Sequence, residues 1–476
     1  MSLRDDIPWL IAHYETNART LAHNTELLEI YEGNLLDFVL RELEKELSAN
    51  AFFQLKDRVP PINILQRFVS KLSKVYSKAP KRTLNVDDST SLELFGMMTE
   101  QTEINQKLSQ ANEFFNLFKN TWIEPYLENG MPRLRCIPSD RFFVASKNKS
   151  DPSKPTHFVK IMGMKKKGDA EVVELHAYTD TEFLAFYSNG EIDDDTMNEI
   201  YGSASEEESN GYLYGQNVIG TLPGVYINKS QNFVMPRIDT DTLAMTKLIP
   251  KLLADANFCA KFQSFSIIYA IDMDEGDVKM SPNALWRLKS DPTNPTAKPE
   301  VGTIKPSADT DKLLALIESE LAFWLNTKNI KPGTIGALSV ENAASGISKV
   351  VDEMDASEDI QKQTGFFKAA EAKLWEILIN FYHPYWKTYS EYIGGWGEFV
   401  PTTSVKTEFP EYRPLANQSG VIDDQLKMKE AGLQTMKGAL KEIYPDWTDE
   451  QIDGHIVELK AESNEPKPIQ AMNPVV

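Results

Sequence analysis

The densest group of potential ligands in the sequence is a set of acidic residues between positions 191 and 208. It lies among Ser, Asn and Gly and comprises Glu191, Asp193, Asp194, Asp195, Glu199, Glu206, Glu207 and Glu208. Carboxylate oxygens are the ligands that Ca²⁺ prefers, but a calcium-binding loop places them at alternating positions around a central Gly, with a closing Glu. That spacing is absent, so we expect a solvated, mobile loop here and no metal site.

Other residue types that support catalysis are sparse and scattered. None of the six histidines has a Cys or carboxylate at a spacing typical of metal ligands: they are His13, His23, His157, His176, His383 and His455. The sequence contains no phosphate-binding Gly-rich loop, no His-Glu-x-x-His motif and no nucleophile elbow. We therefore expect no enzymatic activity and no bound cofactor or metal. Cys136 and Cys259 are far apart among apolar residues and are predicted to be buried thiols.

The composition indicates a large globular protein with a strong acidic excess. The chain has 476 residues, 41% of them hydrophobic, which is enough for about three units of ordinary domain size. Fifty Lys and Arg against 70 Asp and Glu give a net charge of −20. A protein that grips nucleic acid through its backbone needs surplus cations, so this balance argues against DNA coating but permits DNA to pass without being held.

No segment suggests export or membrane insertion. The N-terminal residues MSLRDDIPWL lack a charged-then-apolar signal pattern, and no apolar run approaches the roughly 20 residues of a membrane span. We expect a soluble protein of a reducing compartment.

Hydrophobic periodicity predicts a mixed α+β fold. Helical spacing of apolar residues covers residues 5–47, 62–76 and 90–120, with Trp122 to Tyr126 closing the third stretch. The other side of the second helix is basic and carries Arg67, Lys71, Lys74 and Lys78, followed by Lys81 and Arg82. A solvated helix face is one interpretation of these charges, and contact with an acidic partner or DNA is the other.

Short β-branched and aromatic runs then predict antiparallel strands. They cover Gly130–Ala145, His157–Gly163, Val172–Tyr178 and Glu182–Ser188 and are separated by Gly, Asp, Asn and Lys turns. Lys165–Lys167 is predicted to be an exposed hairpin tip.

The second half of the chain predicts two helices flanking an insertion, and then one long helix. The first helix covers residues 240–264, with Asp239 and Asp241 at its start, and Pro250 should kink or split it. An insertion over residues 265–306 and a helix ending at 328 follow. Residues 339–383 form a further helical pattern, about 65 Å long if unbroken, that Pro384 should end. A rod of this length cannot bury itself in a compact monomer and implies packing against neighbours.

Taken in order, several segments resemble the portal protein of tailed bacteriophages. Pro61–Pro80 (PINILQRFVSKLSKVYSKAP) resembles the early wing helix, and Val172–Leu184 (VVELHAYTDTEFL) resembles the wing strands. Leu222–Lys229 (LPGVYINK) is similar to the strand that leads into the first stem helix, and Ala343–Lys349 (AASGISK) to the Ser-Gly step of the long helix. Lys429–Lys460 resembles the helical crown. The ordered pattern covers nearly the whole chain.

The resemblance implies a mainly helical α+β fold with antiparallel strands in the wing and a small α/β clip. It divides the chain into a wing over residues 1–239, stem helices over 240–264 and 307–328 with the clip at 265–306 between them, a tunnel loop over 329–338, a long wing helix with return strands over 339–418, a crown over 419–462 and a disordered tail over 463–476.

The resemblance also implies a function and its partners. Portal subunits form a homo-oligomeric ring, typically of twelve, at one capsid vertex of the virion, which assembles in the host cytoplasm. Double-stranded DNA is packaged through the ring by the terminase and leaves by the same route. The major capsid protein and neck or adaptor proteins are the other implied partners.

Candidate site residues follow from position. The tunnel loop and DNA channel would include Lys328, Asn329, Lys331, Pro332 and Gly333, together with the acidic side chains of Glu318 and Glu320 on the second stem helix. The clip candidates combine cations with an aromatic side chain, a mixture that suits protein contacts, and are Lys279, Trp286, Arg287 and Lys289. For Lys328 and Lys331, ordinary surface charge is the competing interpretation; for Trp286 it is burial within its own fold.

Two other classes of protein stay open. One is a virion scaffold protein that builds rods from the 339–383 helix without a DNA channel, and the other is an enzyme with a degenerate site. A closed ring with a central hole would favour the portal interpretation, whereas a retained nucleotide or metal would favour the enzyme.

Overall fold

The computed structural model describes residues 2–201, 208–209, 212–230, 232–264, 267–271, 300–304, 310–328, 330, 346–388, 392–394, 397–410, 422, 425, 427–429, 431–444, 447 and 449–464. The chain divides into two compact units. The first unit comprises Met1–Leu338 and Ile360–Pro410, and the second comprises Ser339–Asp359 and Glu411–Val476. Helices and antiparallel sheets are both present, so the fold is α+β, as the periodicity predicts.

The first unit begins with six helices. They are α1 (Ile7–Glu29, after a 3₁₀ turn at Leu3–Asp6), α2 (Leu35–Glu46), α3 (Ala49–Leu55), α4 (Ile64–Leu72), α5 (Ser89–Gln101) and α6 (Ile104–Phe118). A π-helical turn at Ile30–Asn34 joins α1 to α2, with Gly33 at a φ of 122°. The side chain of Asn63 accepts hydrogen bonds from the backbone N–H groups of Leu65 and Gln66, so α4 starts later than predicted.

The predicted helix over 90–120 is wrong in two respects. It is interrupted between α5 and α6, where Glu103 adopts a left-handed conformation with a φ of 49°. It also ends at Phe118, and Trp122 to Tyr126, predicted to close the helix, belong to a strand, β2 (Asn120–Glu128). Lys119 takes the left-handed conformation that allows the chain to turn from helix into strand.

Two antiparallel sheets form the middle of the first unit. In the smaller sheet, β2 lies between β3 (Met131–Ile137) and β10 (Val225–Asn228). The larger one has the order β4-β5-β6-β7, formed by Phe142–Ala145, His157–Lys167, Ala170–Tyr178 and Phe183–Tyr187. The indole of Trp122 stacks on the ring of Phe158 at 3.9 Å and joins the two sheets.

The region predicted to be a mobile acidic loop is partly helical. Asp194–Tyr201 forms α7, and Met197 and Tyr201 pack into the core beneath the larger sheet. Asp193 is buried, and the hydroxyl of Thr196 donates to its carboxylate at 2.9 Å. The prediction failed because it counted charges and overlooked two apolar side chains at helical spacing. Short strands β8 (Glu208–Ser209) and β9 (Tyr212–Leu213) follow.

The rest of the first unit contains a helical pair, the part of a long helix that begins at Ile360, and a ribbon; the residues of that helix up to Asp359 belong to the second unit. The pair is α8 (Thr240–Ser264) and α9 (Thr310–Thr327), with β11 (Ile267–Ile271) and β12 (Glu300–Ile304) between them. The long helix α10 (Gly346–Ile377) continues through a π-helical turn at Leu378–Tyr382 into α11 (His383–Trp386). The ribbon pairs β1 (Lys81–Leu84) with β13 (Val405–Glu408).

The two proline predictions have different outcomes. Pro250 was predicted to kink or split α8; it lies inside the helix, which is not split, and the kink stays a prediction. Pro384 does not end the long helix, because it lies in the first turn of α11, where the widened π-helical turn precedes it and a missing N–H is tolerated.

The prediction that the long helix cannot be buried within its own subunit also fails for part of that helix. Phe367, Leu374 and Trp375 are buried within the first unit, so the C-terminal half of α10 is covered by its own subunit. Sequence periodicity identified the helix but not the elements that surround it.

The second unit contains the C-terminal helices α12 (Met436–Ile443) and α13 (Asp449–Asn464). Ala439, Leu440 and Ile452 are buried there. Helix α13 extends two residues into the segment predicted to be a disordered tail, and residues 465–476 lie outside the described part of the chain. None of the helices in the described ranges is both long and apolar enough to cross a lipid bilayer.

Candidate functional site

Helices α8 and α9 form an antiparallel hairpin. They pack against each other, and at one end β11 pairs with β12, with Ile267 opposite Ile304. Their apolar faces share a core with the N-terminal helices, in which the rings of Phe68 and Trp324 lie 5.1 Å apart. The arrangement is a two-helix arm with a two-stranded ribbon at its end, and residues 272–299, within the predicted clip, lie outside the described residues.

The other end of the hairpin is closed by a cluster of charged side chains. The ammonium of Lys328, directly after α9, donates to both carboxylate oxygens of Asp239 at 2.9 Å. It also lies 2.8 Å from the carboxylate of Asp241. Lys119 approaches Asp239 at 3.4 Å. A cation after the C-terminus of α9 and carboxylates at the N-terminus of α8 both complement the helix dipoles.

Mutual stabilisation shifts the pKa values of this cluster. Burial would raise the pKa of Asp239, but hydrogen bonding with Lys328 and Asp241 and the charges of Lys119 and Lys328 hold it well below its usual range. Burial would lower the pKa of Lys328, but its bonds to Asp241 and Asp239 raise it overall. Both groups are therefore ionised across the neutral range, and the ion pairs between Lys328 and the two aspartates are intact there.

A second set of ion pairs fixes α8 to the N-terminal helices. Lys247 contacts Glu26 and lies 2.7 Å from Glu42, and Lys251 lies 2.8 Å from Glu42 and 2.9 Å from Glu46. Hydrogen bonds to the two lysines lower the pKa of Glu42 although burial opposes the shift. The N-terminal half of α8 is therefore fixed by two sets of ion pairs, one with Lys328 after α9 and one with glutamates of the N-terminal helices.

The face of α9 that points away from the core is both acidic and apolar. Glu318 is exposed and Glu320 is half-buried. Leu314 is 43% exposed, and Leu316 and Phe323 are also exposed. The exposed surface of α9 is therefore apolar as well as acidic.

The structure places only some of the predicted site residues. Lys328 is engaged by two carboxylates, and a DNA phosphate would have to compete with them; its role as a channel residue stays a prediction. Ile330 is buried in the hairpin core. The remaining predicted residues lie outside the described ranges: Asn329, Lys331, Pro332, Gly333, Lys279, Trp286, Arg287 and Lys289.

Among the described residues, neither the acidic segment nor the thiols form a group that could bind a metal. Across the described ranges, no group of three or more His, Cys, Asp or Glu side chains is arranged to hold a metal ion. The Cys136 thiol donates to the carbonyl of Lys107 at 3.0 Å, and burial raises its pKa to about 12, as expected for an inert thiol. By solvent exposure, Cys136 and Cys259 are both partly buried, which differs from the prediction that they are buried.

Sequence reasoning missed the most deeply buried charge among the residues that the structure describes. Glu371 is fully buried on α10 and accepts hydrogen bonds from Arg82 and Tyr76. The sequence did indicate that Glu371 is buried, because it lies between Phe367 and Leu374 on the apolar stripe of the helix. A carboxylate on such a stripe requires a buried cationic partner.

Comparisons with known proteins give no family assignment. No protein-family model matches the chain, and no curated protein matches it. Among solved structures, a chain of the virion of a native gene transfer agent (GTA) particle aligns at 12% identity with a TM-score of 0.40, over 80% of this chain and 90% of that one. A chain from the neck of an empty GTA particle, computed with C6 symmetry, aligns at 11% identity with a TM-score of 0.39, over 82% and 91%. Likenesses this weak establish neither fold family nor function.

Proposed function

We propose that this chain is a portal subunit of a tailed-phage-like particle. Copies would form a ring, typically of twelve, at one capsid vertex of the virion. Double-stranded DNA would be packaged through the lumen by a terminase and would leave by the same route. Neck or adaptor proteins would dock on the ring, and the major capsid protein would surround it.

The observation that supports the proposal most directly is the α8–α9 hairpin. Its two helices extend to the β11–β12 ribbon, and Lys328 closes the opposite end on Asp239 and Asp241. The segment that follows Lys328 is the one whose position resembles the tunnel loop. If copies of the chain were arranged around an axis, hairpins fixed in this way at both ends would form the wall of a channel.

The charge of the chain suits a channel through which DNA moves. Duplex DNA is densely anionic, and the chain carries a net charge of −20. Acidic side chains on a channel wall would repel DNA weakly at every position, with screening over about 10 Å at 0.1 M salt. DNA would then meet no deep binding site along its path.

The burial of α10 disfavours the alternative of a rod-forming scaffold protein. Ile360, Phe367 and Leu374 pack inside the subunit, so the C-terminal half of the helix has no free apolar stripe with which to build a rod. The oligomer is therefore proposed to form through other surfaces.

Electron microscopy of the purified chain tests the proposal. We expect closed rings with a central hole wide enough for duplex DNA. Filaments, or a monomer at every concentration, would contradict it. Purified rings should also retain no nucleotide or metal, since a stoichiometric ligand would favour an enzyme.

A further inference from the structure

Two segments of the first unit are basic although the whole chain is acidic. Residues 58–86 include seven Lys and Arg residues and no Asp or Glu. Residues 360–375, in helix α10, include three lysines and a single acid, Glu371, which is buried and paired with Arg82. In a chain with a net charge of −20, these segments are the places where an anion would meet the least repulsion.

The fold brings the two segments together around Tyr76. Its ring lies 5.5 Å from the ring of Phe367 on α10 and 5.5 Å from the ring of Phe409, which directly follows β13. Its hydroxyl donates to the carboxylate of Glu371 at 2.8 Å. The turn after α4, the β1–β13 ribbon and α10 are therefore neighbours, and the cations on these elements lie in one region of the first unit.

The β1–β13 ribbon has an inner face and an outer face. Arg82 and Thr407 belong to the inner face, where both donate to the buried carboxylate of α10. Neighbouring residues in a strand point to opposite sides, and Lys81 and Lys406 are accordingly exposed. Glu408 is the one acidic residue among the eight that form the ribbon, and it lies on the outer face opposite Lys81.

Glu408 lies among cations from three elements. Hydrogen bonding and the charge of Lys406, 2.6 Å away, lower the pKa of the Glu408 carboxyl. The charges of Lys81 on β1 and Lys368 on α10 lower it further. Lys81 and Lys368 are exposed, and neither forms an ion pair with a residue that the structure describes. Three cations thus surround one carboxylate, and a positive charge remains that this part of the chain does not neutralise.

The turn after α4 extends this region. Lys74, two residues before Tyr76, is half-buried and also has no ion-pair partner among the described residues. Lys78 follows in the same turn, but it contacts other groups of the chain and is not counted here. We call the following set the basic surface: Lys74, Lys81, Lys368 and Lys406.

The side chains around the basic surface suit phosphate groups better than a protein partner. Ser77 and Thr83, close to these lysines in the sequence, are exposed and polar. Among the described residues, the large exposed apolar side chains all lie on other elements. Protein interfaces are built around an apolar or aromatic core, whereas Lys, Ser and Thr are typical contacts of DNA phosphates.

We propose that the basic surface binds the phosphate backbone of duplex DNA. This goes beyond the proposed function, which assigns DNA only to a channel, because none of these lysines belongs to the α8–α9 hairpin. The contact reads no base sequence, since it involves phosphates alone. An otherwise acidic chain would then repel DNA over most of its surface and hold it at one place.

The first test compares two triple variants of the full chain that have the same net charge. The surface variant combines Lys74→Gln, Lys81→Gln and Lys368→Gln. The control variant removes three exposed lysines on other elements of the first unit that likewise have no ion pair among the described residues, and it combines Lys149→Gln, Lys166→Gln and Lys229→Gln. Fluorescence anisotropy of a labelled DNA duplex measures binding at several salt concentrations, and circular dichroism verifies folding.

The two variants should differ in both affinity and salt dependence. The surface variant should bind about 100-fold or more weakly at 0.1 M salt, and the slope of log K against log salt should shrink by about 2.7, since each phosphate contact contributes about 0.9. The control should change the affinity less than about threefold, because charges beyond about 10 Å are screened. Equal effects of the two variants, or no binding by the wild-type chain at low salt, would overturn the inference.

A competing partner is tested in the same assay. Labelled poly-glutamate replaces the duplex at equal charge concentration. Weaker binding than to DNA is expected. Tighter binding to poly-glutamate would identify an acidic polypeptide as the partner and would overturn the assignment to DNA.

The second test locates the contact on the wild-type chain. Lysines are modified with an N-hydroxysuccinimide ester with and without the duplex, and mass spectrometry measures each site. DNA should protect Lys81 and Lys368 and should leave Lys166 and Lys229 reactive. Uniform protection, or none, would overturn the inference.

The outcomes also separate this inference from the proposed function. Rings that form but do not bind DNA through these lysines would overturn the basic surface and leave the portal proposal standing. A chain that binds DNA through them but stays monomeric at every concentration would overturn the portal proposal alone.

Discussion

Arg82 and Glu371 form a buried ion pair although 289 residues separate them in the sequence. The guanidinium Nε lies 2.7 Å from one carboxylate oxygen, and its Nη2 lies 2.9 Å from the other. Tyr76 and Thr407 donate to the same carboxylate at 2.8 Å and 3.1 Å. The network joins α10 to the ribbon of β1 and β13. It satisfies both carboxylate oxygens without any contribution from solvent.

Removal of this carboxylate should strongly destabilise the chain. Glu371→Ala leaves the Arg82 guanidinium buried and without its counter-ion, which should lower the free energy of unfolding by about 3–5 kcal/mol. The control is Glu376→Ala on the same helix, which removes an exposed pair with Lys373 and should cost no more than about 0.5 kcal/mol. Urea denaturation followed by circular dichroism measures both variants. Similar midpoints for the two would contradict the assignment of Glu371 as a structural anchor.

Much of the secondary structure could be predicted from the sequence, because local patterns determine it. Apolar spacing at 3.6 residues identified α8, and alternation with turn residues identified the strands of the larger sheet. The hairpin tip at Lys165–Lys167 is also confirmed, since Gly168 and Asp169 form the turn between β5 and β6. In each case the deciding residues lie close together in the chain.

The predictions that failed depend on tertiary structure. Trp122 was assigned to the end of a helix, but it is buried between two sheets whose other strands come later in the sequence, from β3 at Met131 to β10 at Val225. The burial of Phe367 likewise depends on Phe115, whose ring lies 5.5 Å away. For the candidate site, the sequence identified Lys328, Asp239 and Asp241 separately. Nothing in their spacing indicated that they meet.

Gly224, part of the segment that resembles a portal strand, should not tolerate a side chain. Its φ is 137°, and an added Cβ would lie 2.1 Å from the carbonyl oxygen of Ile123 and 2.6 Å from the indole nitrogen of Trp122. Gly224→Ala should therefore reduce the free energy of unfolding by about 2–5 kcal/mol through strain and steric clash. Gly96→Ala is the control: it lies inside α5 with open space around it and should stabilise the chain by about 0.5–1 kcal/mol. Thermal denaturation should shift in opposite directions for the two variants.

The ion pairs of Lys328 with Asp239 and Asp241 should stabilise the folded chain over a defined range of pH. The folded-state pKa of Asp239 is lowered from 3.8, so its contribution is complete above that value and is lost as the pH falls through the folded-state pKa. The pKa of Lys328 is raised from 10.5, so its contribution is complete below that value and is lost as the pH rises further. Lys328→Met should cost about 1–2 kcal/mol at pH 7, intermediate between exposed and buried pairs. The cost should be constant between about pH 5 and pH 9 and should shrink in acid. A cost that varies around neutrality would point to a different titrating group.

Deletion of residues 331–336 tests the proposed tunnel loop separately from ring assembly. The deletion begins after Lys328, which closes the hairpin, and after Ile330, which is buried in its core. The contacts that close the hairpin are therefore retained. We expect the variant to form rings of normal size in mass photometry. If the segment contacts DNA in the channel, particles assembled with the variant should contain or retain less nuclease-resistant DNA. Replacement of the segment by six Gly and Ser residues is the matched control for loop length. Loss of rings in the deletion variant would place the segment in the subunit interface, whereas normal packaging and retention would remove its proposed role in the channel.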